Sequence, residues 1–118
     1  MKNPLYQSFY HHLDIIRHRP SVMIGKKSIC LLDLYLSGYQ TYAMIHDIDP
    51  IYPESPSFAD FDRFVKKRYN SEYSTLNWAY ILYYHFNEDD EMAFDECFRL
   101  LDEFKAQEAD LQFTTPKE

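Results

Sequence analysis

The sequence predicts an all-α protein, a compact bundle of about five helices. Apolar residues recur every three or four positions along most of the chain, capping residues precede several of these runs, and prolines separate them. Hydrophobic residues make up 46% of the 118 residues and aromatic residues 18%, which is enough material for one core. We therefore expect a single helical domain over residues 1–118, with a frayed tail at 110–118.

The first two predicted helices lie on either side of a segment that contains proline and glycine. Asn3-Pro4 provides a cap and a first-turn proline, and Pro20 ends the helical pattern that follows. Ser28 is suited to cap the second helix, and Gly38 inside it predicts a close helix contact or a kink. The apolar positions of these helices are Leu5, Phe9, Leu13 and Ile16, and then Ile29, Leu32, Leu36, Tyr39 and Ala43.

Three more helices are predicted after a proline-rich loop, DIDPIYPESPS, at residues 47–57. Ser57 and Asp60 form a capping-box pattern that begins the third helix. The run LNWAYILYYHF, residues 76–86, is apolar almost all round, which is typical of a central buried helix, although a strand is the competing interpretation. Acids at 88–90 favour a helix start, and the inner stripe of the fifth helix is Phe94, Cys97, Leu101 and Phe104.

The negative charge of the chain is concentrated in the predicted last helix. Residues 88–108 contain nine acidic and two basic residues, whereas the other 97 residues contain ten of each, so the net charge of −7 comes from this segment. Its acids form either a solvated face or a docking surface for a basic protein. A negative surface repels phosphate, so we expect neither nucleic acid nor membrane as a partner.

The sequence shows no recognisable catalytic signature, and we expect a protein that is not an enzyme and uses no cofactor or metal. It has no nucleophile elbow, and two glycines are too few for a phosphate-cradling loop. His11, His12, Asp14 and His18 share helical turns but lack the spacing of common metal sites, so a small hydrolase that uses them is a minor alternative. The basic run at 63–69 reads as one polar helix face.

Targeting signals and cysteine usage both favour a cytoplasmic protein. The first residues, MKNPLYQSFYHH, lack the apolar region of a secretory signal, and no long uncharged apolar run follows. Cys30 and Cys97 are far apart and lie among apolar residues, which fits buried reduced thiols better than a disulfide.

The stretch RHRPSVMIG, residues 17–25, carries two family resemblances. The pattern Arg17-x-Arg19-Pro20-x-x-x-Ile24-Gly25 resembles a phrase of gyrase B-type ATPase domains, but the chain has no place for their glycine-rich ATP lid. With the order of the helices around it, the same pattern resembles a family of small bacterial proteins encoded beside polymorphic toxins. Several members of that family are immunity proteins of contact-dependent growth inhibition systems, whose toxins are often ribonucleases.

Local chemistry indicates that this stretch is a structural joint between the first two helices. Arg17 and Arg19 are placed to bond the last carbonyls of the first helix, Pro20 ends it, and Gly25 permits a positive φ before the next helix. The apolar residues 22–24 would pack beneath the turn. A direct contact of Arg17 or Arg19 with a partner is the open alternative.

The resemblance and the charge together predict an immunity protein, or antitoxin, that covers the basic active-site cleft of a cognate toxin nuclease. The resemblance makes a ribonuclease the expected kind of nuclease. The alternative is a non-enzymatic adaptor that uses the same acidic face for another basic protein. The sequence does not predict an oligomeric state. The candidate partner-binding residues are Asp89, Asp90, Asp95, Glu96, Asp102 and Glu103 on the last helix, and Asp47, Asp49, Tyr52 and Glu54 in the proline-rich loop.

Overall fold

The computed structural model describes residues 8–47 and 56–114, with side chains described as far as residue 107. It confirms the all-α prediction, since the described residues form helices and no strand. The helices are α1 (Phe9–His18), α2 (Pro20–Met23), α3 (Ile29–Ile45), α4 (Phe61–Arg68), α5 (Trp78–His85) and α6 (Asp90–Thr114), and a 3-10 turn at Phe58–Asp60 leads into α4.

The core lies between the inner faces of the five longer helices. Phe9 of α1, Phe61 of α4 and Phe94 of α6 are each at most 1% exposed. Helix α5 packs against α3, α4 and α6, so the aromatic run at 76–86 forms the predicted central helix and not a strand. Asn77 caps it, because its side chain accepts a hydrogen bond from the Tyr80 backbone N–H.

Helix α1 begins later than the sequence predicts. Ser8 has an extended backbone, with φ of −157°, and its side chain accepts from the His11 N–H at 3.0 Å. A continuous helix from Pro4 is therefore wrong, although Asn3 and Pro4 themselves lie outside the described residues. Pro20 also does more than end a helix, because it is the first residue of the one-turn helix α2, which the sequence reading missed.

In the joint between α1 and α3, the positive φ predicted for Gly25 is confirmed, whereas the contacts predicted for the two arginine side chains are wrong. Gly25 has φ of +99°, the left-handed region that favours glycine. The Arg17 side chain reaches Asp102 on α6 at 3.0 Å instead of the last carbonyls of α1. The Arg19 backbone N–H, not its side chain, bonds Ile15 O at 2.9 Å. Val22 is 77% exposed, so it does not pack beneath the turn as predicted.

Helix α3 confirms most of its predicted features. Ser28 caps it by accepting from the Leu31 N–H at 3.0 Å, and Ile29, Leu32, Leu36 and Ala43 are its buried residues. Of the two features predicted at Gly38, a close contact or a kink, the close contact is wrong, since a side chain added there would meet no atom of the described residues within 4 Å. Nothing in the structure explains that glycine.

Two further expectations concern the tail and the cysteines. Helix α6 continues to Thr114, whereas the sequence predicted fraying from Asp110, and residues 115–118 lie outside the described residues. Cys97 is buried as expected, whereas Cys30 is only partly buried, and both are free thiols. Burial raises the pKa of the Cys97 thiol, which keeps it protonated and unreactive.

Candidate partner-binding surface

The acids on the outer face of α6 are paired with cations inside the molecule. Asp95 lies 2.9 Å from Lys27, and Asp102 lies 3.0 Å from Arg17. Glu103 contacts both Arg68 and Arg99. Three of these four cations come from other elements: α1, the α2–α3 loop and α4. The outer face of α6 therefore ties α6 to the rest of the bundle.

Glu96 is held most closely within this network. It accepts from Arg99 at 2.6 Å and from the Tyr69 hydroxyl at 3.0 Å, and its side chain is 15% exposed. The hydrogen bonds from Arg99 hold its pKa below the usual range, and the Tyr69 bond adds to this effect. On the other side of the bond, burial raises the pKa of Tyr69 to about 12, helped by the Glu96 carboxylate. Both groups remain in their bonded forms at neutral pH.

Internal pairing reduces the charge that α6 presents to a partner. Arg17, Lys27 and Arg68 lie outside residues 88–108 yet each contacts an acid within that segment. They offset three of its seven excess negative charges, which leaves four. A partner's cation that approached Asp95, Asp102 or Glu103 would have to displace the cation already paired there. These three predicted partner residues therefore contribute less to partner binding than their charge suggests.

Asp90 also acts within the fold, at the start of α3. Its carboxylate accepts from the Ser28 hydroxyl at 2.5 Å and from the Cys30 backbone N–H at 3.0 Å. Burial alone would raise the pKa of Asp90, but the hydrogen bonds from Ser28 and Cys30 outweigh it and lower the pKa. This predicted partner residue is therefore a clamp between α6 and the amino terminus of α3.

Within residues 88–107, the acids without an ion-pair partner among the described residues lie at or just before the start of α6. Glu88, Asp89 and Glu91 are all exposed. Asp89 accepts from the Met92 N–H at 3.0 Å and so caps α6. Glu88 has φ of 67° and directly follows Asn87 with φ of 56°, two left-handed residues that end α5 and turn the chain into α6.

A group of tyrosines on α5 lies beside these acids. The rings of Tyr83 and Tyr84 are 5.3 Å apart and those of Tyr80 and Tyr83 are 6.0 Å apart, while Tyr84 is 51% exposed. The Glu88 N–H donates to the Tyr83 carbonyl at 2.7 Å. Burial raises the pKa of Tyr83, and the nearby Glu88 carboxylate adds to this effect. We call Tyr80, Tyr83 and Tyr84 with Glu88 and Asp89 the tyrosine–acid face.

Sequence reasoning missed most of this face. The run at 76–86 is apolar almost all round, so its periodicity does not reveal which side meets solvent. The available signal was the spacing of Tyr80, Tyr83 and Tyr84, at i, i+3 and i+4, which places three half-polar rings on one side of a helix. Of the predicted residues, only Asp89 lies on this face.

The structure describes one of the four predicted partner residues of the proline-rich loop. Asp49, Tyr52 and Glu54 lie outside the described residues. Asp47, at the end of α3, is exposed and has φ of 56°.

Two histidines of the group on α1 make hydrogen bonds within the fold. The His12 Nε2 lies 2.8 Å from the Tyr35 hydroxyl, and the His18 Nδ1 lies 2.9 Å from the Asp14 carbonyl. Burial lowers the pKa of His12, and the neighbouring His11 adds to this effect, which favours the neutral ring. No group of three metal-ligating side chains occurs in the part of the chain that the structure describes.

Comparisons with known proteins give this chain no relatives: no protein-family model, curated protein or solved structure matches it. None of the helices in the described ranges is long and apolar enough to cross a membrane.

Proposed function

We propose that this protein is an immunity protein that binds a cognate toxin nuclease domain, a ribonuclease, and covers its basic active-site cleft in the cytoplasm. The observation that carries the proposal is the tyrosine–acid face. It places Tyr84, which is 51% exposed, and the partly buried Tyr80 and Tyr83 beside Glu88 and Asp89, which have no ion-pair partners among the described residues. The family resemblance of residues 17–25 supplies the class of partner.

The chemistry of this face suits a basic protein surface. A nuclease must present positive charge to the phosphates of its substrate, and negative side chains attract that surface and speed the encounter. Aromatic residues supply most of the binding energy in many interfaces, with tyrosine among those enriched there. The proposal therefore places the partner on the tyrosine–acid face and assigns Asp90, Asp95, Asp102 and Glu103 to the fold.

A cleavage assay tests the function directly. A candidate cognate nuclease domain is mixed with RNA in the presence of increasing amounts of the purified protein. The proposal predicts that cleavage stops near equimolar protein. Complex formation without loss of cleavage would contradict inhibition, and cleavage that continues with no complex would contradict the proposed function and favour the adaptor, which binds another basic protein.

A matched pair of variants locates the surface in the same assay. Tyr84→Ser removes an exposed ring from the tyrosine–acid face, whereas Tyr42→Ser removes a similarly exposed ring, 59% accessible, from the far end of α3. We expect Tyr84→Ser to raise the amount of protein that is needed for inhibition and Tyr42→Ser to leave it unchanged. The reverse pattern would move the interface to the end of α3.

A further inference from the structure

A hollow beside the tyrosine–acid face combines one carboxylate that lacks a cation with an aromatic floor. It lies between α3, α5 and the start of α4 and has a volume of about 290 Å³. Asp33 and Ser37 of α3, Asp62 of α4 and Asn77 of α5 line its rim. Its floor is formed by Phe58 and Trp78, which are 7% and 8% exposed.

The two carboxylates of the hollow differ in their partners. Asp62 is satisfied within the fold, since it accepts from the Trp78 backbone N–H at 2.9 Å and pairs with Lys66 at 3.1 Å. Asp33 accepts from the Asn77 side-chain amide at 2.9 Å, and no cation among the described residues lies within ion-pair distance of it. Burial raises the pKa of Asp33, and the Asn77 hydrogen bond opposes this only in part. Asp33 is thus a half-buried carboxylate whose charge is poorly compensated.

The geometry of Asn77 is fixed by its two roles. Its side-chain oxygen caps α5 by accepting from the Tyr80 N–H at 3.1 Å, so its amide nitrogen must point to Asp33. The same residue therefore joins the hollow to the tyrosine–acid face, because Tyr80 belongs to that face. A partner bound at Tyr80 would therefore lie close to the hollow.

We propose that this hollow receives an arginine side chain from the protein partner, with the guanidinium paired to Asp33 and lying against Trp78. The proposal rests on the proposed function, since it names one contact within that interface. A guanidinium matches a carboxylate with two parallel N–H donors and stacks on aromatic rings, which an ammonium does less well. The volume lies at the lower end of the roughly 300–1,000 Å³ of pockets for drug-sized ligands, which is room enough for a single arginine side chain.

The first test uses Nα-acetyl-arginine amide as the probe, with the lysine and citrulline analogues as controls. Citrulline keeps the shape of arginine but has no charge. NMR follows the side-chain amide of Asn77 and the indole N–H of Trp78 during each titration. We expect saturable shifts for arginine, weaker ones for lysine and none for citrulline, and the arginine shifts should vanish in Asp33→Asn. Equal responses to all three probes, no shift at either group, or shifts that survive Asp33→Asn would overturn the assignment.

The second test separates this inference from the proposed function. Affinity for the nuclease domain is measured for Asp33→Asn and for Asp14→Asn, which removes the same charge from an exposed site on α1. Loss of a charge-assisted hydrogen bond predicts a roughly 10- to 100-fold weaker affinity for Asp33→Asn and little change for the control. Full affinity in Asp33→Asn while the nuclease is still inhibited would overturn the arginine contact alone. A chain whose hollow binds the arginine probe but that does not inhibit the nuclease would overturn the function alone.

Discussion

The outer face of α6 and the tyrosine–acid face of α5 and α6 both carry acids, but only on the first are those acids paired. On α6, Asp95, Asp102 and Glu103 each contact a cation from another element. On the tyrosine–acid face, Glu88 and Asp89 are exposed and have no ion-pair partner among the described residues. The comparison teaches that a count of charges along a helix does not locate a binding surface, because the same charge can serve the fold or a partner.

The largest expected effect concerns an acid that the sequence assigns to a partner and the structure assigns to the fold. Asp90→Ala removes the hydrogen bonds to Ser28 and Cys30 that join α6 to α3. We expect the free energy of unfolding to fall by about 2 kcal/mol, since hydrogen bonds to charged groups contribute about 1.5–3 kcal/mol.

Chemical denaturation measures this change, with Glu91→Gln as the control one residue away. Glu91 is exposed, and substitutions of that kind stay within about 0.5 kcal/mol of wild type. If both variants had wild-type stability, Asp90 would return to the set of residues free to bind a partner.

An effect of opposite sign is expected at the junction of α5 and α6. Glu88 adopts a left-handed conformation, with φ of 67°, that glycine tolerates better. Glu88→Gly should raise the free energy of unfolding by about 1 kcal/mol and should slow association with a basic partner. Asn87→Gly is the control, because asparagine already tolerates φ of 56° and loses no charge. A destabilised Glu88→Gly protein would mean that Glu88 serves the fold like the acids of α6.

A smaller effect separates the two arginines of residues 17–25. Arg17→Met removes the pair with Asp102 and the guanidinium that lies 5.5 Å from the Phe98 ring centre, so we expect a loss of about 0.5–1 kcal/mol. The loss should shrink in high salt. Arg19→Met changes an exposed side chain without an ion pair among the described residues and should leave the melting temperature unchanged. Equal losses would show that the arginines act alike at the joint.

The smallest effect concerns Asp33, and its sign follows from its raised pKa. The folded state favours the protonated carboxyl, so at pH 7 the charged form costs stability, and Asp33→Asn should match or slightly exceed wild type. The difference in free energy of unfolding between the two proteins should close as pH falls through the raised pKa and below about 3.9. The carboxyl is then neutral in both the folded and the unfolded state. Unfolding at several pH values measures it. Wild type that is more stable than Asp33→Asn at pH 7 would contradict an uncompensated charge.

The parts of the fold that depend on local chemistry could be predicted from the sequence. Ser28 and Ser57 were expected as caps and act as caps, and the buried positions of α3 follow their apolar spacing. Helix α2 was missed because proline ends one helix and begins another with the same fixed φ, and sequence alone does not separate these roles.

The candidate site was harder to predict because it depends on contacts between distant residues. Arg17 and Asp102 are 85 positions apart, and Lys27 and Asp95 are 68 apart, so their pairing follows from the packing of α6 and not from any pattern along it. A reading of the sequence without those pairs treats every acid of α6 as equally available to a partner. The tyrosine–acid face was hidden for the opposite reason, since Tyr80, Tyr83 and Tyr84 lie in a run that resembles core on all sides.

The most direct test of the central claim compares two double variants that remove the same charge from the two faces. Glu88→Gln with Asp89→Asn changes the tyrosine–acid face, and Asp95→Asn with Asp102→Asn changes the outer face of α6. The measurement is the association rate with the proposed cognate nuclease domain. The account predicts roughly tenfold slower association for the first pair, because its charges lie at the interface, and a much smaller change for the second. Equal slowing by both pairs, or greater slowing by the second, would contradict it.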